Sequence, residues 1–200
     1  MREFRETISQ QDAQAEKSSA WVRVKTVFCG AARFVFLLAC LLGTAWLMYQ
    51  SYPNKSQRFL AWFALAPFIW GVAKIKGFWS SFFYGWLTAL LFNAGILYWI
   101  YYTCLHGGGL SQGLSVAAWL GLSGLLAVQF GIVGGACYFL KRTGGFFPVL
   151  VACGGVALEW LHQTVAFYFL GFPWIMLGYT QWNAPEILQM ASFTGVYGVS

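Results

Sequence analysis

Five polar side chains lie within apolar stretches of this sequence, where they are the residues best placed to do chemistry. Glu159 is the one carboxylate in those stretches. His162 and Gln163 follow it at positions i+3 and i+4, so the three share one face of a helix. Asn93 and Gln129 fall at comparable depths in two other stretches. We expect either a polar layer that lines a cavity or binds a lipid headgroup, or an interhelical hydrogen-bonded cluster that holds the helices together.

A cysteine and a histidine also lie close together in the sequence, at Cys104 and His106. A Cys–His nucleophile pair needs a third group that orients the histidine, and no carboxylate lies near these two residues in the sequence. We therefore interpret His106 as a solvated loop residue. The five cysteines of the chain have no Cys-x-x-Cys or other ligand spacing, so we predict no metal site, no disulfide and no cofactor.

The composition indicates which solvent surrounds these residues. Apolar residues make up 59% of the 200 residues and charged residues 9%, with a mean hydropathy of +0.62. Soluble chains carry about 25% charged residues, so a water-soluble fold, a disordered chain and a disulfide scaffold are all excluded. The net charge of +6 does not indicate nucleic-acid binding, because half of the twelve basic residues lie in the first 33 positions. The others flank apolar runs, where they indicate membrane topology.

The sequence predicts an all-α integral membrane protein, a bundle of about five transmembrane helices followed by the approach to a sixth. A polar cytoplasmic tail at 1–26 precedes the polytopic region 27–200. A helix needs about 20 residues to cross a bilayer, and one predicted span, at 15 residues, falls short of that. The predicted spans cover residues 34–50, 59–73, 78–102, 113–140 and 146–170. Residues 171–200 would form an outer-face segment that leads to a further helix.

The basic residues favour this five-span topology over its alternative. With a cytoplasmic N-terminus and five spans, ten basic residues lie inside and only Lys55 and Arg58 lie outside. If the short second stretch does not cross, the split becomes six against six, which the positive-inside rule disfavours. The loop 103–112 and the segment that begins at Gly171 are therefore predicted to face outward.

The fourth stretch carries small residues at every fourth position, a pattern that lets another helix approach closely. This helix-packing stripe consists of Ser123, Ala127, Gly131 and Gly135. The pattern predicts packing and has no chemistry of its own.

Several strings along the chain, in order and spacing, resemble the amino-terminal membrane region of bacterial apolipoprotein N-acyltransferases. The most specific string is GFPW at 171–174. The others are LAWFALAP at 60–67, YWIY at 98–101, GG at 107–108, LEWL at 158–161, GYTQ at 178–181 and GVYGVS at 195–200. The resemblance covers some 140 residues. The chain departs from the family pattern at His162, directly after LEWL, where the family usually has a basic residue.

The resemblance implies a multi-pass enzyme of the bacterial inner membrane that completes lipoprotein maturation. Such enzymes take an acyl chain from a membrane phospholipid, hold it as a thioester on a cysteine, and pass it to the amino group of a diacylglyceryl apolipoprotein. Their Glu-Lys-Cys catalytic set lies in a nitrilase-like periplasmic domain, which would begin after Ser200. We therefore expect no catalytic residue within these 200 residues, and no acyl transfer by this chain alone.

The resemblance also makes the outward corner of the chain the candidate contact for lipid or lipoprotein substrate. The candidate residues are Phe172, Pro173, Trp174 and Tyr179. The alternative is that Trp174 is an ordinary interfacial anchor. Two other functions stay open at this point: a small transporter or channel, and a non-catalytic membrane scaffold whose stripe recruits a partner helix.

Overall fold

A computed structural model describes residues 2–52, 57–169 and 175–200 of the chain. The chain divides into two compact units, residues 1–39 and residues 40–200. The first unit consists of the early part of helix α1, which spans Arg2–Ser51. The stretch 1–26, predicted as a polar tail, is therefore helical from Arg2 onward. The second unit contains all five polar residues singled out in the apolar stretches.

The second unit is helical wherever it has regular structure within the described residues. After α1 the chain forms short helices α2 (Ala61–Ala64) and α3 (Ala66–Ala73), and then α4 (Phe78–Ile96) and α5 (Tyr98–Tyr102). A π-helical turn at Thr103–Gly107 leads to the long helices α6 (Gln112–Leu140) and α7 (Phe147–Phe169). The remaining elements are the one-turn helices α8 (Pro185–Leu188) and α9 (Ala191–Thr194), and 3-10 turns at Arg58–Leu60, Lys141–Phe146, Leu177–Gln181 and Val196–Gly198.

Length and hydropathy single out fewer membrane spans than the five predicted. Among the described residues, two stretches are long and apolar enough to cross a bilayer, Val27–Ser51 and Gln112–Thr164. A third crosses if Phe78–Ile96 and Tyr98–Gly107 form one bent span. The predicted span 59–73 corresponds to a shorter apolar stretch, Arg58–Ala73, which is interrupted at Leu65 before the Ala66-Pro67 pair. By these criteria the part of the chain that the structure describes is all-helical, with two or three candidate spans.

The predicted span 78–102 is bent rather than straight. Its two halves meet at an angle of 56°, at Leu97, which lies outside both helices. The indole N–H of Trp119 on α6 donates a 3.0 Å hydrogen bond to the carbonyl oxygen of Ala94. That carbonyl would bond the N–H of Tyr98 in a continuous helix, so Trp119 satisfies an acceptor that the bend leaves without its usual partner.

Helices α4 and α6 pack closely and run antiparallel. The ring of Phe78 lies 5.8 Å from that of Phe139 near one end, while Asn93 reaches Ser123 near the other. All four residues of the predicted stripe are buried, and Gly131 and Gly135 face aromatic rings of α4. Two equally close backbone approaches lie beside the stripe: a Cβ at Gly134 would overlap the carbonyl oxygen of Ser81, and a Cβ at Gly85 would overlap that of Phe130. The stripe is therefore occupied by α4 of the same chain.

The two ends of this helix bundle are each tied by a contact between distant loops. At one end, named here the Lys141 end, the Lys141 ammonium donates a 2.6 Å hydrogen bond to the carbonyl of Ile75. At the other, the Arg58 end, the guanidinium of Arg58 donates to the backbone carbonyl and side-chain oxygen of Asn183. Between α6 and α7 the chain turns through Gly144, whose φ of 63° suits glycine. Because α6 and α7 contact each other, the chain reverses there.

Candidate functional site

The candidate site is a cavity of about 110 Å³ inside the second unit. Its walls come from the end of α1, from α3, α4, α6 and α7, and from the segment 175–200. Most of the lining is apolar and aromatic, with Phe68, Phe92 and Phe130 contributing rings. The five polar residues identified in the sequence all line this one cavity: Asn93, Gln129, Glu159, His162 and Gln163.

Asn93 joins two helices at the cavity wall. Its side chain is 3% exposed, and its amide nitrogen donates a 3.2 Å hydrogen bond to the backbone carbonyl of Ser123 on α6. In a continuous α-helix that carbonyl already accepts one backbone hydrogen bond, and a carbonyl oxygen has a second lone pair for the amide. Asn93 therefore cross-links α4 and α6 at the depth of the cavity.

Glu159 joins α7 to the segment that follows it. Its Oε1 atom accepts a 3.0 Å hydrogen bond from the backbone N–H of Leu177, the first residue of the 3-10 turn Leu177–Gln181. Helix starts leave such N–H groups without a partner in their own helix. Within the described residues the other carboxyl oxygen, Oε2, is fully buried and makes no hydrogen bond. The carboxyl group is thus enclosed by protein and occupied on one side.

The next N–H of the same turn is also satisfied by a distant side chain. The backbone N–H of Gly178 donates a 2.9 Å hydrogen bond to the hydroxyl oxygen of Ser200. Two successive N–H groups at the start of this turn are therefore held by residues 18 and 22 positions away in the sequence. Glu159 and Ser200 together fix where the turn begins.

Tyr52 holds the same segment from the end of α1. Its hydroxyl donates a 3.1 Å hydrogen bond to the carbonyl of Met176, and its ring lies 5.1 Å from that of Phe92. Burial, with a smaller contribution from the Glu159 carboxylate, raises the pKa of the Tyr52 phenol well above its ordinary value. The phenol therefore stays a hydrogen-bond donor at any physiological pH.

Buried polar contacts continue along the turn toward Arg58. The amide nitrogen of Gln181 donates a 3.2 Å hydrogen bond to the carbonyl oxygen of Arg58 and a 3.1 Å hydrogen bond to the hydroxyl oxygen of Thr180. The hydroxyl group of Thr180 in turn donates a 2.8 Å hydrogen bond to the carbonyl oxygen of Leu177. Thr180 and Gln181, which make these hydrogen bonds, are buried. Tyr179 is 39% exposed and lies on the outer side of the turn.

Two carboxamides in the cavity wall make no hydrogen bond within the described part of the chain. Gln129 on α6 and Gln163 on α7 both line the cavity and are half-buried. Neither side chain makes a hydrogen bond to any residue that the structure describes. His162, in contrast, is engaged with a neighbouring group. The two glutamines are therefore the polar groups that the cavity offers to an occupant.

Of the four predicted substrate contacts, only Tyr179 falls in the described part of the chain. Phe172, Pro173 and Trp174 lie outside the described residues. Of the cysteines, Cys40 and Cys137 are buried, Cys104 is half-buried, and Cys29 and Cys153 are exposed. The described residues contain no group of three or more His, Cys, Asp or Glu side chains that could hold a metal ion.

Sequence reasoning missed three residues of the site: Tyr52, Leu177 and Ser200. Leu177 contributes only its backbone N–H, so no side-chain type marks it. Tyr52 and Ser200 lie outside the apolar runs in which polar residues stand out, and no sequence spacing relates either to Glu159. The one feature of the sequence that could have indicated Tyr52 is its position two residues beyond the predicted span 34–50.

Most of the chain is similar to proteins of known family. The family profile described as the apolipoprotein N-acyltransferase N-terminal domain matches residues 44–200. The chain is 35% identical over 165 residues to an apolipoprotein N-acyltransferase of Geobacter metallireducens, which is 82% of this chain and 30% of that protein. It is 34% identical over 111 residues to the one of Nitrosomonas europaea, 55% of this chain and 22% of that protein. A third, of Allorhizobium ampelinum, is 33% identical over 132 residues, 62% and 23% of the two chains. The chain thus spans less than a third of the length of these curated relatives.

Proposed function

The chain belongs to the apolipoprotein N-acyltransferase family, and we propose that it forms the membrane-embedded part of such an enzyme. The enzyme would transfer an acyl chain from a membrane phospholipid to the amino group of the diacylglyceryl-cysteine of an apolipoprotein. The observation that carries this proposal is the family match over residues 44–200, the region that contains the cavity and the turn above it. Phospholipid donor and apolipoprotein acceptor are accordingly the proposed partners.

We assign no catalytic role to residues of this chain. An acyl-carrying thiol needs a base and an orienting group within hydrogen-bond reach. Cys40 and Cys137 are buried between helices. Cys29, Cys104 and Cys153 are at least partly exposed, and the described residues contain no group of three or more His, Cys, Asp or Glu side chains. The proposed role is therefore to hold lipid and to present the outer-face segment, and we expect no acyl transfer by the chain alone.

We propose a five-span topology in the bacterial inner membrane, with a cytoplasmic N-terminus. Contacts between distant loops support it. The Lys141–Ile75 bond joins two loops that the positive-inside rule places in the cytoplasm. The bonds from Arg58 to Asn183, and from Gln181 to Arg58, join two loops that the same rule places outside. A topology that put either pair on opposite sides of the membrane would break these contacts.

The segment at the Arg58 end is the proposed contact for substrate. Tyr179 projects from a turn that three separate elements hold in place, through Tyr52, Glu159 and Ser200. An exposed tyrosine on a rigid turn at the membrane boundary presents both an apolar ring and a hydroxyl. We extend the same role to Phe172, Pro173 and Trp174, which precede this turn in the sequence.

A chimaera tests the proposal without requiring any further sequence. Residues 44–200 would replace the matched region of the Geobacter metallireducens relative, and the product would be expressed in a strain depleted of its own apolipoprotein N-acyltransferase. We expect growth and N-acylated lipoproteins, detected by mass spectrometry of lipoprotein N-termini. A matched chimaera that carries Glu159→Leu should lose both. A well-inserted chimaera that leaves lipoproteins unacylated would contradict the proposal.

A further inference from the structure

The cavity is lined partly by polar side chains that the proposed acyl transfer does not use. It lies between helices whose outer faces are apolar: Leu125 on α6 is 52% exposed and Leu161 on α7 is 48% exposed. Within it, the carboxamides of Gln129 and Gln163 make no hydrogen bond to the described residues. An amide without a partner in an apolar medium is unfavourable, so an occupant that can bond to these half-buried groups would stabilise them.

The other polar side chains of the wall each have a partner, and one buried carboxyl oxygen of Glu159 is left without a hydrogen bond among the described residues. Asn93 donates to Ser123, and His162 has a partner. Glu159 bonds Leu177 through Oε1, and its Oε2 atom is covered by protein. The cavity therefore offers no accessible carboxylate to a cation and no free positive charge to an anion.

The two free groups select a neutral ligand. A carboxamide has an N–H₂ donor and a C=O acceptor, so a pair of them is best matched by a group that both donates and accepts. A hydroxyl group does both. The volume of about 110 Å³ holds several water molecules or one small polyol group. The surrounding rings of Phe68, Phe92 and Phe130 exclude larger polar ligands and favour an apolar continuation of the occupant.

We propose that this cavity is a binding site for neutral hydroxyl groups, held by Gln129 and Gln163 inside the membrane-embedded bundle. The hydroxyl groups come either from an ordered water cluster or from the glycerol part of a membrane lipid. Both sources present the same donor–acceptor chemistry to the two carboxamides. They differ in whether the cavity is open to aqueous ions.

Access of silver ions to single cysteines distinguishes the two sources. The five native cysteines would be replaced by alanine, and one cysteine introduced as Gln129→Cys or Gln163→Cys in the 200-residue chain. Matched controls on the same helices are Leu125→Cys and Leu161→Cys, which face away from the cavity. Ag⁺ reacts with thiols in water, and the unreacted cysteine would be counted with maleimide after denaturation. A water-filled cavity predicts modification at least about tenfold faster than at the controls, because thiol reactivity depends on the thiolate.

A second measurement detects a lipid occupant. Native mass spectrometry would compare the wild-type chain with the double variant Gln129→Leu/Gln163→Leu. If a lipid supplies the hydroxyl, the two cavity cysteines react slowly and a glycerolipid retained by the wild type is lost from the double variant. Cavity cysteines that react as slowly as the controls, with the same lipids on both proteins, would overturn the proposal. The labelling result does not depend on whether the double variant folds, and it is independent of acyl transfer.

Discussion

The carboxyl group of Glu159 accepts a 3.0 Å hydrogen bond from the backbone N–H of Leu177. This bond links the middle of α7 to the first residue of the turn that carries Tyr179. An ionisable side chain in the apolar part of the bundle thus serves as the cap of a neighbouring turn. Glu159 lines the cavity and also bonds the backbone of the segment 175–200, while its predicted part in binding a lipid headgroup stays a prediction.

Replacement of Glu159 should separate its acceptor role from its charge. Glu159→Leu leaves the Leu177 N–H buried without a partner, at a cost of about 1–3 kcal/mol. Glu159→Gln keeps an acceptor oxygen at the same position and should unfold close to the wild type. Thermal unfolding in mild detergent measures the difference. The control is Glu186→Gln, an exposed carboxylate on α8. A leucine variant as stable as the wild type would show that this hydrogen bond contributes nothing.

Close packing between α4 and α6 gives a second prediction. A Cβ at Gly134 would overlap the carbonyl oxygen of Ser81, so Gly134→Ala should destabilise the chain by about 1–3 kcal/mol through overpacking. Gly121 lies on the same helix with open space around the position of its Cβ. Gly121→Ala should therefore be neutral or slightly stabilising. Equal unfolding temperatures for the two alanine variants would rule out this contact as a determinant of stability.

The bend at Leu97 gives a third prediction. Trp119→Phe keeps an aromatic ring but removes the N–H that bonds the Ala94 carbonyl, and it should cost about 1 kcal/mol. The distance between spin labels at Phe83 and Tyr102, on either side of the bend, should also change. Trp79→Phe, at a tryptophan that is 66% exposed on α4, is the control. An unchanged distance in the Trp119 variant would mean that other contacts fix the bend.

Residue periodicity and depth account for the part of the site that could be anticipated. Glu159, His162 and Gln163 had to share a helical face at that spacing, and counting along the helices put Asn93 and Gln129 at similar depth. The structure places all five around one cavity. The family resemblance drawn from strings such as GFPW and GYTQ was confirmed by the match over residues 44–200.

The rest depended on contacts that leave no mark in a single sequence. The bend at Leu97 involves no proline, and its partner is the side chain of Trp119, more than 20 residues away. Glu159 bonds a backbone N–H, which every residue except proline possesses. The closest backbone approaches between α4 and α6 involve Gly134 and Gly85 rather than the predicted stripe, because the packing direction of α4 decides which glycine faces it.

The central claim is that the Arg58 end of the bundle, with the turn that carries Tyr179, faces the periplasm while the Lys141 end faces the cytoplasm. Single cysteines at Asn183 and Thr143, both exposed, test it directly in a version that lacks the five native cysteines. A membrane-impermeant maleimide should label the Asn183→Cys chain in intact spheroplasts, and the Thr143→Cys chain only after the membrane is permeabilised. Labelling of Thr143→Cys from outside, or protection of Asn183→Cys until permeabilisation, would contradict it.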